Sequence, residues 1–116
     1  MSASTLGWNL TATGSIGATL TLVTPGPTRF GGYFFGNTAN AAVSYVQIFD
    51  APTTSAVTLG TTAPKLSFAI PANGSANLHL GTDGIRFLTG VVIAVTTTRA
   101  GSTGPASTVD YNVWYA

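Results

Sequence analysis

Residues 65–80 read KLSFAIPANGSANLHL, and this stretch decides the fold class. On both sides of Pro71–Gly74 apolar residues alternate with polar or small ones, which is the period of a half-buried β-strand. The Pro-Ala-Asn-Gly segment predicts a tight turn, because Asn and Gly both tolerate positive φ angles. We therefore expect strands over 65–70 and 75–80, joined as a hairpin.

The same period-two pattern continues in both directions along the chain. Gly and Pro interrupt every window long enough for an amphipathic helix. The strand over 42–49 is apolar on both faces, which predicts a central position in its sheet. A four-residue hairpin loop is expected at 37–40, and a short strand near 57–59 within the long connection 50–64. The remaining expected strands cover 17–23, 29–35, 85–88, 91–98 and 108–115.

Seven or eight strands with turn signals every 8 to 12 residues are typical of a two-layered β protein. The predicted fold is all-β, an antiparallel β-sandwich of jelly-roll type. Residues 17–116 would form this single domain. Residues 1–16 show no firm period and are expected to be an irregular N-terminal arm.

The composition is poor in charge. The 116 residues include four Lys and Arg and three Asp, with no Glu, giving 6% charged residues and a net charge of +1. Soluble domains average about 25%. Such a chain offers no field for binding nucleic acid through its phosphates, and 45% hydrophobic residues are too many for a disordered segment. No apolar stretch is long enough to span a membrane and no secretory signal is recognisable, so we expect synthesis in a cytoplasm and no membrane partner.

Catalytic and metal-binding chemistry has few candidate residues. His79 is the single histidine and Cys is absent, whereas metal sites combine several His, Cys or carboxylate ligands. Asp50, Asp83 and Asp110 lie at predicted strand ends or turns, where Asp is a common turn residue. No nucleophile elbow of the G-x-S-x-G type and no phosphate-binding glycine loop is present. We therefore expect no enzyme, no cofactor and no metal.

Large aromatic residues are the better candidates for function. The Phe residues of the 29–35 strand are expected in the core. Exposed Tyr and Trp side chains often anchor interfaces, and four such residues near the chain ends are the candidate interface residues, with a core role as the open alternative: Trp8, Tyr111, Trp114 and Tyr115. The Thr, Ser, Gly and Ala on the other strand positions form a surface that a neighbour covers at little desolvation cost.

Three motifs stand in order along the chain: Y-V-x-I-F-D-A at 45–51, P-x-L-x-F-x-I-P-A-N-G at 64–74, and G-I-R-F-x-T-G-V-V-I-A-V-T at 84–96. Together with the closing DYNVWYA, they resemble a family of small tailed-bacteriophage proteins. The resemblance covers residues 43–115, about two-thirds of the chain. It implies a virion structural protein of the capsid decoration (cement) type and carries no catalytic or ligand residues.

These observations favour a non-enzymatic phage protein on the outer capsid surface. Its expected partner is the phage major capsid protein, whose lattice it would brace, and it would act as a homotrimer or homodimer. Residues 1–16, with Trp8, would become ordered on binding. The alternative is a carbohydrate-binding head-fibre or tail protein that contacts host glycans through Tyr111, Trp114 or Tyr115. A tail-tube or baseplate accessory differs only in its place on the virion.

Overall fold

The computed structural model describes residues 10–81 and 83–116, and this part of the chain forms nine β-strands. One 3-10 turn, Thr54–Ala56, is the single helical segment in the described ranges. The prediction of an all-β fold is confirmed. The strands are β1 (Leu10–Ile16), β2 (Thr21–Pro25), β3 (Thr28–Gly36), β4 (Ser44–Asp50), β5 (Leu66–Ile70), β6 (Ser75–His79), β7 (Ile85–Phe87), β8 (Gly90–Thr96) and β9 (Val109–Tyr115).

The strands form two antiparallel sheets that pack against each other. Sheet A has the order β1-β9-β3-β6, and β7 also pairs with β3. Because β6 pairs with residues 32–36 of β3 and β7 with residues 28–30, these two strands lie end to end along one edge. Sheet B has the order β2-β8-β4-β5. The arrangement is that of a β-sandwich.

The main core lies between the sheets and follows from the alternation along each strand. Its fully buried side chains come from both layers. The strand β4 lies between β8 and β5, which confirms the central position predicted from its two apolar faces. Core residues from sheet A include Phe30, Phe35 and Val113, and those from sheet B include Val46, Ile48 and Ile93.

Sheet B also buries its outer face, beneath the chain's own loops. Phe49 and Val92 pack there with Ala51 and Val57 of the connection that follows β4. On the same face Gln47 donates from Nε2 to Gly101 O at 3.1 Å, which ties down the loop between β8 and β9. The sheet is therefore covered on both sides.

Residues 10–16 differ from the expected irregular arm, because they form β1 and pair with β9 over its whole length. The alternation is obscured in the sequence since Gly14 occupies an inward position. A Cβ at Gly14 would come within 3.1 Å of Cε1 of Tyr111, so the ring of Tyr111 fills the space that a larger residue would need. Residues 1–9 of the expected arm, including Trp8, lie outside the described residues.

The two expected hairpins are wrong in their pairing, although their turns are right. β5 belongs to sheet B and β6 to sheet A, so Pro71–Gly74 crosses between the layers. The loop after β3 also changes sheet. Asn73 adopts a φ of 54°, as a turn position requires. A turn signal fixes a reversal of the chain but leaves open whether the next strand pairs with its predecessor or faces it across the core.

Two smaller expectations are also wrong. The strand expected at 17–23 is β2 at Thr21–Pro25, where a β-bulge at Val23 shifts the register against β8 and leaves Leu22 exposed. No strand forms near 57–59. There Val57 and Leu59 pack onto the outer face of sheet B, so their apolar character reflects a covering loop.

Candidate interaction surface

Sheet A has an outer face that no other element within residues 10–81 and 83–116 covers, and we call it the open face. The register aligns its residues in rows that run across β1, β9, β3 and β6. Glycine alternates with phenylalanine along β3, and small polar residues occupy the two edges. The three rows are Ser15, Asp110, Gly36 and Ser75; Thr13, Asn112, Phe34 and Asn77; and Thr11, Trp114, Gly32 and His79.

Trp114 lies flat over Gly32, which explains why this position lacks a side chain. A Cβ at Gly32 would stand 2.5 Å from Cζ2 of the indole and 2.5 Å from the carbonyl oxygen of Leu78. The His79 ring of β6 lies near the indole in the same row, with centroids 6.2 Å apart and the ring planes tilted by 40°. Trp114 is half-buried, and its exposed part forms a fixed aromatic platform on the open face.

Phe34 is the second aromatic residue of the open face. It points outward, half-buried, while its neighbours Tyr33 and Phe35 point into the core. Two asparagines flank it in the register, Asn112 on β9 and Asn77 on β6, and both are exposed. The centre of the open face is thus aromatic and amide in character and carries no formal charge.

Charges occur only toward the two ends of the open face. At one end the Asp110 carboxylate accepts a hydrogen bond from Ser15 Oγ at 3.0 Å. At the other end, past a β-bulge at Gly31, Arg29 of β3 stands directly opposite Arg86 of β7. Both arginines are exposed, and together with Ala116 they line a shallow cavity of about 310 Å³.

The structure separates the four candidate interface residues. Trp114 belongs to the open face. Tyr111 is buried, 8% exposed, and stacks on Phe35 with centroids 6.2 Å apart, so it is a core residue of this chain and its proposed surface role is withdrawn. Tyr115 is half-buried on the inward side of β9, beside Leu10 and Phe30 in the register. Trp8 lies outside the described residues.

Asp50 makes several hydrogen bonds to the turn between β7 and β8. Its carboxylate accepts hydrogen bonds from Leu88 N and Thr89 N, both at 2.9 Å, and from Thr89 Oγ1 at 2.8 Å. Lys65 Nζ lies 3.8 Å away. Burial by itself would raise the pKa of Asp50, but these hydrogen bonds and the lysine charge outweigh it and hold the pKa below its usual value. The carboxylate is therefore committed to fixing a turn.

His79 likewise makes a local contact. Its Nδ1 accepts a hydrogen bond from Gly81 N at 3.2 Å, as expected for a residue at the end of a strand. Within residues 10–81 and 83–116 no three His, Asp, Glu or Cys side chains come together as metal ligands.

An asparagine cluster, Asn37 and Asn40, joins three loops at the end of the sandwich where β3 ends. The sequence pattern indicated only a polar loop here, yet both residues are buried. Asn37 Nδ2 donates to Ala42 O and Pro71 O, and Asn40 Nδ2 donates to Asn37 Oδ1 and Ser107 O. Pro71 and Ser107 are distant from the two asparagines in the sequence, so no local pattern could have predicted this cluster.

The described part of the chain contains no helix that is long and apolar enough to cross a membrane. Comparison with known proteins found no matching family model, no similar curated protein and no similar solved structure. The resemblance to tailed-phage proteins therefore stays a prediction.

Proposed function

We propose that this chain is a non-enzymatic structural protein of a tailed-phage virion, a decoration protein that binds the outer capsid surface and braces the major capsid lattice. In this role the open face is covered when the particle is assembled. The proposal includes the homo-oligomeric state and the capsid partner expected from the sequence.

The observation that carries this proposal is the asymmetry between the two sheets. Sheet B is covered on its outer side by the chain's own loops, whereas the open face presents Phe34 and Trp114 among uncharged polar residues. Interface centres are depleted in charge and enriched in aromatic residues. A face of this composition is suited to contact with another protein.

We propose further that the sandwich is a jelly roll. Treating β6 and β7 as one interrupted strand gives eight strands in two four-stranded sheets, in the orders β1-β9-β3-β6/β7 and β2-β8-β4-β5. An eight-stranded double sheet with Greek-key connections is the pattern of jelly rolls, which are frequent in viral capsid and lectin domains. The strand order thus supports a virion role and is compatible with sugar binding.

A binding experiment on particles tests the function. Purified protein is mixed with heads of the encoding phage that lack this chain, and the bound fraction is measured after sedimentation. We expect saturable binding at a fixed number of copies per head, and loss of binding in Phe34→Thr, which removes an aromatic anchor from the open face. The matched control is Thr61→Asp in the exposed loop outside sheet B, which should bind like the unchanged chain. Heads that bind neither version would refute the proposal.

Carbohydrate binding is the second candidate, and one observation favours it. Trp114 offers a flat aromatic surface, and the amides of Asn77 and Asn112 and the imidazole of His79 stand in its own or the adjacent row. Aromatic platforms with a few polar groups are the usual composition of small-ligand sites. A glycan array probed with the unchanged chain and with Trp114→Ala tests this, and binding that Trp114→Ala abolishes would support it over the capsid role.

A further inference from the structure

The arginines at one end of the open face are paired in an unfavourable way. Arg29 and Arg86 occupy directly opposite positions on adjacent strands, and like charges so placed destabilise a sheet. They are half of the four Lys and Arg residues in the chain. Within the described residues the one ion pair is Lys65 with Asp50, so neither arginine has a carboxylate at salt-bridge distance there.

An acidic residue lies at each end: Asp83, whose carbonyl oxygen accepts a hydrogen bond from Arg29 Nη1 at 3.1 Å, lies beside the arginines, and Asp110 lies at the other end of the open face. Asp110 is exposed and keeps only the hydrogen bond from Ser15 Oγ. Along β9 it is six residues from Ala116, which is hydrogen-bonded to Arg29 in both directions at 2.9 Å. At about 3.3 Å per residue, the negative and positive ends are about 20 Å apart.

This arrangement is complementary to itself. A two-fold axis that lies in the plane of the open face and crosses the strands midway would reverse the order of the rows. Asp110 of one copy would then meet the Arg29 end of the other, twice, as in isologous interfaces. The same operation sets Phe34 of each copy against the Gly32 row of its partner, where the indole of Trp114 is exposed.

We propose that the open face is covered by a second copy of this chain, in a face-to-face two-fold dimer held by Asp110–arginine pairs at both ends and by Phe34–Trp114 contacts at the centre. This inference rests on the proposed function insofar as both require a covered open face. The inference identifies a second copy of this chain as the partner that covers the open face.

The size of the face sets the strength of this association. With the Arg29 level counted as a fourth row beyond the three of the open face, four strands about 4.8 Å apart and four rows about 6.8 Å apart outline about 300 Å². Specific complexes bury about 800 Å² on each partner. The dimer is therefore of the weak class in free solution. It would form fully where a particle surface holds copies close together.

Complementary charge reversal tests the dimer. One variant carries Asp110→Arg and the other carries both Arg29→Asp and Arg86→Asp. Sedimentation velocity from about 10 μM to about 1 mM measures association of the unchanged chain, of each variant, and of their equimolar mixture. Each variant alone would juxtapose like charges at both ends, so we expect its dissociation constant to rise at least about tenfold. In the mixture every end regains an opposite charge, and we expect a one-to-one heterodimer close to the strength of the original.

Arg99→Asp is the control, because Arg99 contacts Tyr45 and Ser67 on the other sheet and its reversal should leave association unchanged. Circular dichroism melts of all variants verify folding. Unchanged association in both charge variants, a mixture that fails to associate, or a chain that stays monomeric at about 1 mM would overturn the dimer. Head binding by a monomeric chain would uphold the proposed function alone, while a dimer that ignores heads would uphold this inference alone.

Discussion

Asn37 has a small side chain whose truncation should strongly lower the free energy of unfolding of the free protein. Its side chain uses all of its hydrogen-bonding capacity, since Nδ2 donates to Ala42 O at 3.0 Å and to Pro71 O at 3.1 Å. Its Oδ1 accepts from Asn40 Nδ2 at 2.8 Å and from Ser44 Oγ at 2.9 Å. The side chain is fully buried. Asn37→Ala would remove four hydrogen bonds in one step and leave buried partners behind.

The magnitude follows from the exposure of these partners. Each intramolecular hydrogen bond contributes about 1 kcal/mol, and a buried group left unpaired costs about 1–3 kcal/mol. Ala42 and Pro71 are exposed residues, so their carbonyl oxygens can bind water once Asn37 Nδ2 is removed. Ser44 is buried and would lose its acceptor, and Asn40 Nδ2 would keep Ser107 O as its one remaining acceptor. We therefore expect Asn37→Ala to lower the free energy of unfolding by about 3–5 kcal/mol, which corresponds to a Tm lower by roughly 12–20 °C at this chain length.

Urea denaturation followed by intrinsic fluorescence measures this loss, together with a thermal melt. Asn77→Ala makes the same chemical change on an exposed position of β6 and should change the free energy of unfolding by less than about 0.5 kcal/mol. If the Asn37→Ala protein were as stable as the Asn77→Ala protein, the asparagine cluster would not stabilise the loops that it joins. A change in the m-value would instead indicate that one end of the sandwich opens separately.

Three further outcomes are expected. Gly32→Ala places a Cβ 2.5 Å from the backbone oxygen of Leu78 and should lower the free energy of unfolding by about 1–3 kcal/mol; Gly36→Ala, whose nearest neighbour would be 3.5 Å away, should be nearly neutral in the same urea titration. The lowered pKa of Asp50 contributes stability above the unfolded-state pKa of about 3.9 that is lost as pH falls through the folded-state value. Asp50→Asn should therefore lower the melting temperature at pH 7 and make it depend less on pH in the acid range. If the melting temperatures of the variant and the unchanged chain fall in parallel from pH 7 to pH 2, a range of about five units, this prediction is wrong. Deletion of residues 2–9 keeps β1 intact and should weaken head binding if this segment orders on the particle; unchanged binding in the sedimentation assay would refute that role.

The sequence was most informative where burial repeats every second residue. β9 was predicted with nearly correct bounds because its burial alternates strictly. The bounds of β4 were nearly correct for a different reason, since it is a short apolar run that is buried on both faces. β1 was missed because Gly14 occupies an inward position and leaves its space to Tyr111. Sheet membership was missed because Pro71–Gly74 reverses the chain equally well within a sheet or between sheets.

The candidate surface was harder to predict than the fold. Trp114 was identified, but Phe34 was assigned to the core, since FGGYFF contains aromatic residues on both faces of β3. The bulge at Gly31 decides which of them point outward, and a bulge leaves little trace in composition. Tyr111 lies in the core, the alternative that the sequence left open, because an aromatic residue near a chain end is as compatible with a core position as with an interface.

The stability of the monomer does not account for the low charge of the open face. Exposed strand positions such as Thr11, Thr13, Asn112 and Asn77 generally accept a charged residue at a change of less than about 0.5 kcal/mol. Solubility favours such charges, since an uncharged surface with aromatic residues promotes association. Neither folding nor solubility therefore explains the absence of Lys and Glu from these positions. The covered face that we propose would explain this absence, because desolvation would penalise a charge at its centre and reward matched charges at its rim.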